Sequence, residues 1–230
     1  MSDVFDWGFA WSILPLLASG ALVTFQSTVI GFVLALAIGL PLALGRRSRS
    51  FLLFIPATAV IEFIRSTPLL IQLYFIFFVG PQFGIKLSPL MAGLLAIGLY
   101  YGCFIAEVYR SGIDAVPRGQ WEAVMALNIG RWRAYRAIIL PQAIPPMIPA
   151  LGNYLIDIFK ATPILSVITV LEMMTRAKMI GSESFRYTEP MTIVGAFFLI
   201  MTLGASFLVR RLERLLGEVR SKTPAGLTGV

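Results

Sequence analysis

Five stretches of this chain, at about 20–44, 51–79, 89–108, 144–174 and 191–209, are apolar for so long that water cannot be their surroundings. Crossing a bilayer core takes about 20 apolar residues in a helix. Lipid offers nothing for a bare backbone N–H or C=O to bond to, so each crossing has to satisfy its own hydrogen bonds and be helical. The composition agrees: 57% of residues are hydrophobic and 13% charged, too few charges to cover a soluble surface. The expectation is an all-α integral membrane protein, with one transmembrane domain over 1–230 built from about five helices.

The basic residues give the orientation, because Lys and Arg accumulate in cytoplasmic loops. Arg46, Arg47 and Arg49 follow the first run; Arg110, Arg118, Arg131, Arg133 and Arg136 lie between the third and fourth; Arg210, Arg211, Arg214, Arg220 and Lys222 follow the fifth. Against these thirteen stand Lys86, Arg176, Lys178 and Arg186. The N-terminus is therefore expected outside, with a cytoplasmic loop over about 110–141 and a cytoplasmic tail over 210–230. The opening MSDVFDWGFA is acidic and the run after it exceeds a signal peptide's apolar core, so the first helix is expected to be retained. The net charge of +7 then belongs to the bilayer and not to nucleic acid. With one cysteine, Cys103, and no histidine, an internal disulfide and a Cys/His metal site are excluded, as is histidine-based catalysis.

The loop YRSGIDAVPRGQWEAVMALNIGRWRAYRAIILPQAIPP is too patterned for a plain connector. A first short helix is expected from Gly119 to Leu127, with Asn128 in the left-handed conformation that ends helices. A second is expected from Arg131 to Pro141, where Arg131, Trp132, Arg133, Tyr135 and Arg136 suit the headgroup boundary. Within it, EAVMALNIGRWRAYRAIILP resembles the "EAA" signature of the membrane subunits of ABC importers. Glu122, Ala123, Ile138, Leu140 and Pro141 match the signature; Val124 and Asn128 stand where it has alanine and glycine.

GALVTFQSTVIGFVLALAIGLPLAL, RSTPLLIQL, AEVYRSGIDAVPRGQWEA and ILPQAIPPMIPALGNYLI extend the resemblance along the chain, to the polar amino acid permeases, and IGSESFRYTEP resembles permeases for ectoine and hydroxyectoine. The resemblance implies a type I ABC importer permease fold in the bacterial cytoplasmic (inner) membrane, multi-pass, importing a polar amino acid or a compatible solute. It implies a coupling loop, Glu122, Ala123, Val124, Asn128, Gly130, Leu140 and Pro141, that docks on a cytoplasmic ATPase dimer. ATP and Mg would lie on that ATPase, leaving no cofactor on this chain. The other implied partners are a second permease subunit, identical or a sister chain, and an extracytoplasmic solute-binding protein.

Two short segments carry charge into the apolar runs. EFIRSTPLL (62–70) and DIFKATPIL (157–165) share the order acid, two apolar residues, base, small residue, Thr, Pro, apolar residue, Leu. An ionised side chain at a helix centre costs roughly 2.5 to 3.5 kcal/mol, and acid and base three apart on one face offset each other. Pro68 removes a backbone donor and crowds the Ile64 carbonyl, so the helix is expected to bend or open there. Interrupted apolar helices at matching places point to a transport path. Its candidate residues are Glu62, Arg65, Ser66, Thr67, Gln72, Asp157, Lys160, Thr162, Ser166 and Glu172. The competing reading makes both acid–base pairs structural ties. Tyr100 and Tyr101 fit either a path or plain packing; Phe75, Phe77 and Phe78 suit packing, and Pro145, Pro146 and Pro149 suit helix shaping.

No lysine sits in a G-x-x-x-x-G-K-[ST] loop, so the energy source has to come from elsewhere. An ion-coupled secondary transporter using Glu62 and Asp157 is the alternative, and it leaves the coupling loop without a purpose. An intramembrane enzyme has little chemistry to work with, given dispersed carboxylates and no histidine.

Overall fold

The computed structural model describes the backbone of residues 5–221 and the side chains of residues 5–211. Among the described residues every regular element is helical: α1 Trp7–Arg46, α2 Phe51–Arg65, α3 Leu69–Phe83, α4 Pro89–Asp114, α5 Arg118–Ala126, α6 Arg131–Ile168, α7 Met173–Ser184 and α8 Thr188–Ser221. Four of them are long and apolar enough to cross a membrane, and counting the bent pair α2–α3 as one span gives five.

The first helix begins at Trp7, not near residue 20. Asp6 caps it by accepting a hydrogen bond from the Phe9 N–H. Ser12 and Ser19 return their hydroxyls to Phe9 O and Leu16 O, so polar residues before the apolar run do not interrupt the helix. At 40 residues α1 is about 60 Å long. One side of it is a buried stripe of small residues: Gly20, Thr24, Thr28, Gly31, Ala35, Gly39 and Ala43. Small residues let helix backbones approach in a membrane, where apolar contact with a helix is no better than contact with lipid. The approach to α4 is close enough that a Cβ on Gly39 would lie 2.8 Å from the Gly102 carbonyl oxygen.

The second expected crossing, 51–79, is broken in two. α2 and α3 meet at 106° around Ser66–Pro68, then α3 continues through a π turn (Phe75–Val79) and a 3₁₀ turn to Gly84, whose φ of 81 reverses the chain. Ser88 caps α4 through the Met91 N–H. Asn128 takes φ 47 after α5, the left-handed geometry its sequence position suggests.

The helix after Asn128 does not stop at Pro141, and this corrects the expected loop boundary. α6 runs on from Arg131 through Pro141, Pro145, Pro146 and Pro149 to Ile168. A π turn over Tyr135–Ile139, with the Leu140 N–H bonded to Tyr135 O, widens the ladder just before Pro141 and accommodates its ring. At its far end α6 tightens into a 3₁₀ helix, Thr162–Ile168, closed by Thr169 at φ 62. The expected run to residue 174 is therefore too long: α7 is a separate helix capped by Glu172.

The fifth crossing lengthens instead. α8 continues as helix to Ser221, into the segment expected as a tail; 222–230, with Lys222, and the side chains of Arg214 and Arg220 lie outside the described residues. The main core joins α1, α3, α4 and α6 through Ala35, Leu73, Ala96, Ile97, Ile105, Ile158 and Leu165. α7 closes on the Trp7 half of α1, where the Met173 N–H donates to Thr24 Oγ1.

Candidate functional site

The two proline segments behave differently, and the difference sorts the candidate residues. At Pro68 the break is sealed by its own side chains. Gln72 is buried, and its Nε2 donates to Ile64 O at 2.8 Å and to Thr67 Oγ1 at 2.8 Å, while Thr67 Oγ1 donates to Phe63 O. The carbonyl that Pro68 leaves without its helical partner is thus taken up by an amide eight residues on. The geometry gives Thr67 and Gln72 a structural task. Ser66 ends α2 through its backbone N–H, with its side chain exposed.

Glu62 and Arg65, expected to pair, part company. Glu62 binds Arg46 of α1 at 2.9 Å, and the same guanidinium reaches Glu107 of α4 at 2.8 Å. Arg110 bridges Glu107 and Asp114, and Arg47 also binds Asp114, so six charged side chains in five ion pairs tie together the ends of α1, α2 and α4 nearest Arg46. Arg65 turns the other way. Its guanidinium carbon stands 5.1 Å from the ring centre of Phe104, in the range of a cation–π contact.

Phe104 belongs to a cavity of about 420 Å³ between α4 and α6, lined by Tyr100, Tyr101, Phe104, Tyr154, Asp157, Lys160 and Ala161. The rings pack edge to face, Tyr100 on Tyr101 at 5.2 Å and Tyr101 near Tyr154 at 6.3 Å, and the Tyr101 hydroxyl donates to Asp157 O. Asp157 and Lys160 stand 3.9 Å apart with both side chains about half exposed. That is an electrostatic neighbourhood and not a hydrogen bond, so either charge is available to a third group. Asp157 and Lys160 thus line one aromatic-walled cavity, and Arg65 stacks on Phe104 of its wall.

Three further candidates lie elsewhere. Thr162 is fully buried and bonds back to Phe159 O; Ser166 accepts from Lys178 Nζ at 2.9 Å. Glu172, read from the sequence as a path residue, is fully buried as the cap of α7, accepting from the N–H groups of Met174 and Thr175 and from Thr175 Oγ1. Fully buried and bonded to the first turn of its own helix, this carboxylate does not face the cavity. Sequence reasoning missed Tyr154 and Phe104. A signal for Tyr154 was present: it precedes Asp157 by three and Lys160 by six, one face of one helix.

The loop α5 turns Val124 inward and leaves Glu122, Ala123, Met125 and Leu127 exposed, Met125 at 72% and Leu127 at 71%. Gly130 and Asn128 are exposed at the joint, and Leu140 and Pro141 lie beyond the π turn.

Residues 35–218 match the family of binding-protein-dependent transport system inner membrane components. A probable amino-acid ABC transporter permease of Sinorhizobium fredii is 47% identical over 202 residues, covering 88% of this chain and 87% of that one. The glutamine transport system permease GlnP of Escherichia coli K12 is 37% identical over 212 residues, covering 91% and 97%. A crystal structure of an amino acid ABC transporter superposes with a TM-score of 0.86 at 36% identity, covering 91% of this chain and 98% of that one.

Proposed function

We infer the working of this chain from what it is: it belongs to the family of binding-protein-dependent transport system inner membrane components, and is a multi-pass permease subunit of an amino-acid ABC importer. We propose that its solute passes the cavity between α4 and α6. The single observation that carries this is a cavity whose tyrosine wall holds both a cation, Lys160, and a carboxylate, Asp157, with Arg65 stacked on its Phe104. A zwitterion presents a carboxylate and a cationic nitrogen. In that cavity it meets guanidinium and ammonium donors for the first, and a carboxylate and aromatic faces for the second. The cavity is open on one side, which suits completion by a second permease subunit, identical or a sister chain.

The orientation we propose follows the arginine distribution: Trp7 and α7 face outward, toward a solute-binding protein, and α5 faces the cytoplasm. There the exposed Glu122, Met125 and Leu127 would dock on a separate ATPase, the source of energy this chain does not carry. An ion-coupled carrier has no use for that helix. Within the class of amino-acid-like zwitterions, ectoine and hydroxyectoine are the specific solutes proposed, on IGSESFRYTEP. That segment lies at the α7–α8 joint, away from the cavity, with Phe185 90% exposed, so it speaks for receptor matching and not for contact with solute in transit.

Arg65→Ala and Lys160→Ala, each in the transporter assembled with its ATPase, should weaken solute-dependent stimulation of ATP hydrolysis by roughly tenfold or more, the worth of a lost charge-assisted hydrogen bond. Normal solute dependence in both variants would leave the cavity without a role. Titrating the cognate binding protein with ectoine and with glutamine decides the solute independently.

A further inference from the structure

We propose that the first turns of α6 bind the headgroup of an anionic phospholipid at the cytoplasmic face, and that this contact steadies the coupling helix α5. The proposal deepens the permease reading and rests on it for the side of the membrane on which the loop lies.

Arg131, Arg133 and Arg136 are exposed, and none takes part in an ion pair among the described residues. Arg46, Arg47, Arg110 and Arg186 do have carboxylates. Trp132 between them is 78% exposed. Farther along the same helix Leu140 and Ile144 are also exposed, at 37% and 47%. Exposed aliphatic side chains on a membrane helix face acyl chains, and Leu140 lies only about 6 Å along the axis from Arg136. The next turn outward from the tails is headgroup, where Trp and snorkelling Arg concentrate. Guanidinium forks match phosphate oxygens two at a time, and three unneutralised ones favour a phospholipid of net negative charge over a zwitterionic one.

The competing occupant is the ATPase. Its expected docking face on α5 has different chemistry, an acid with apolar side chains, and is set apart from α6 by the left-handed Asn128. α5 is nonetheless tied to the arginine turn. Trp121 packs edge to face on Tyr135, ring centres 5.6 Å apart, and Gln142 Nε2 donates to Gln120 Oε1 at 3.2 Å. Tyr135 is the neighbour of Arg136. A lipid that pins this turn therefore holds Trp121, and with it the helix that receives the motor's stroke.

The test uses the whole transporter, reconstituted in nanodiscs of phosphatidylcholine alone or with phosphatidylglycerol added. The readouts are receptor- and solute-stimulated ATP hydrolysis relative to basal, and phospholipids retained, counted by native mass spectrometry. With phosphatidylglycerol the wild type should show several-fold greater stimulation, declining as salt screens the contact. The variant Arg131→Gln, Arg133→Gln, Arg136→Gln should respond alike in both lipids, with phosphatidylglycerol retention down by about fivefold per charge removed. The Arg→Lys versions keep the charge and should keep most of the response. A wild type indifferent to phosphatidylglycerol overturns the proposal. So does equal loss of stimulation in both lipids for the Gln and Lys sets, which assigns these arginines to the ATPase. Should the Gln variant fail to assemble, the Lys variant and the wild-type salt series carry the test. Absence of ATP-driven uptake in either lipid would instead sink the permease reading.

Discussion

Gln72 replaces what Pro68 takes away. Its amide reaches the Ile64 carbonyl and the Thr67 hydroxyl inside the 106° elbow, so the elbow is a fixed bend and not a frayed one. Gln72→Leu keeps the volume and removes the shortest hydrogen bond to that carbonyl, leaving it the longer ones from Thr67, which should cost about 1 kcal/mol and lower the melting temperature of the purified protein. Gln72→Glu puts an acceptor where a donor is needed and should do no better. At the other end, Asp6 accepts from the Phe9 N–H and the Arg186 guanidinium, and these bonds hold its carboxyl below the ordinary carboxylate value of 3.8. A depressed folded value means stabilisation that is present above the ordinary one and is lost as pH falls through the depressed one. The melting-temperature gap between wild type and Asp6→Asn should hold steady near neutrality and narrow below pH 3.8. Single residues were the least legible level of the sequence. Arg65, Asp157 and Lys160 could be singled out because charge in an apolar run is costly. That Glu62 would bind Arg46, or Glu172 cap α7, depends on neighbours that spacing does not reveal.

Helices were easier to read where hydropathy or a lone proline governs them. The break at Pro68 follows from the missing donor of proline, whereas at Pro163 the helix only tightens from α to 3₁₀ geometry and runs on. Pro141 misled for the same reason: the π turn before it absorbs what would otherwise end the helix, and nothing in local propensity announces it. The start of α1 was missed because the apolar run was measured and the Asp6 cap was not. The interface between α1 and α4 supplies its own test. Gly39→Ala forces a methyl against the Gly102 carbonyl at 2.8 Å and should lower stability by about 1–3 kcal/mol, with reduced yield in the membrane. Gly195→Ala on α8 meets nothing within 4 Å and should leave the melting temperature unchanged or raise it.

For the molecule as a whole, the all-helical fold with four to five apolar spans was legible, since bilayer thickness acts on the entire chain. Which helices enclose a cavity was not legible, because that depends on how α4 and α6 face each other. The proposed energy coupling belongs to this scale too. Glu122→Lys reverses a charge exposed on α5 while touching no buried contact, so the chain should still reach the membrane and fold. ATP hydrolysis should then become independent of solute, and uptake should fall to background; uptake at the wild-type rate would mean that α5 is not where the motor grips.

The length of α1 bears on any such movement. At about 60 Å it is twice the hydrocarbon thickness, with α4 as its main neighbour and α7 against its Trp7 half. Pivoting about its midpoint by about 10° would sweep each tip sideways by about 5 Å. A slight rocking of the buried middle thus becomes a displacement wider than a water molecule at both rims, in opposite directions.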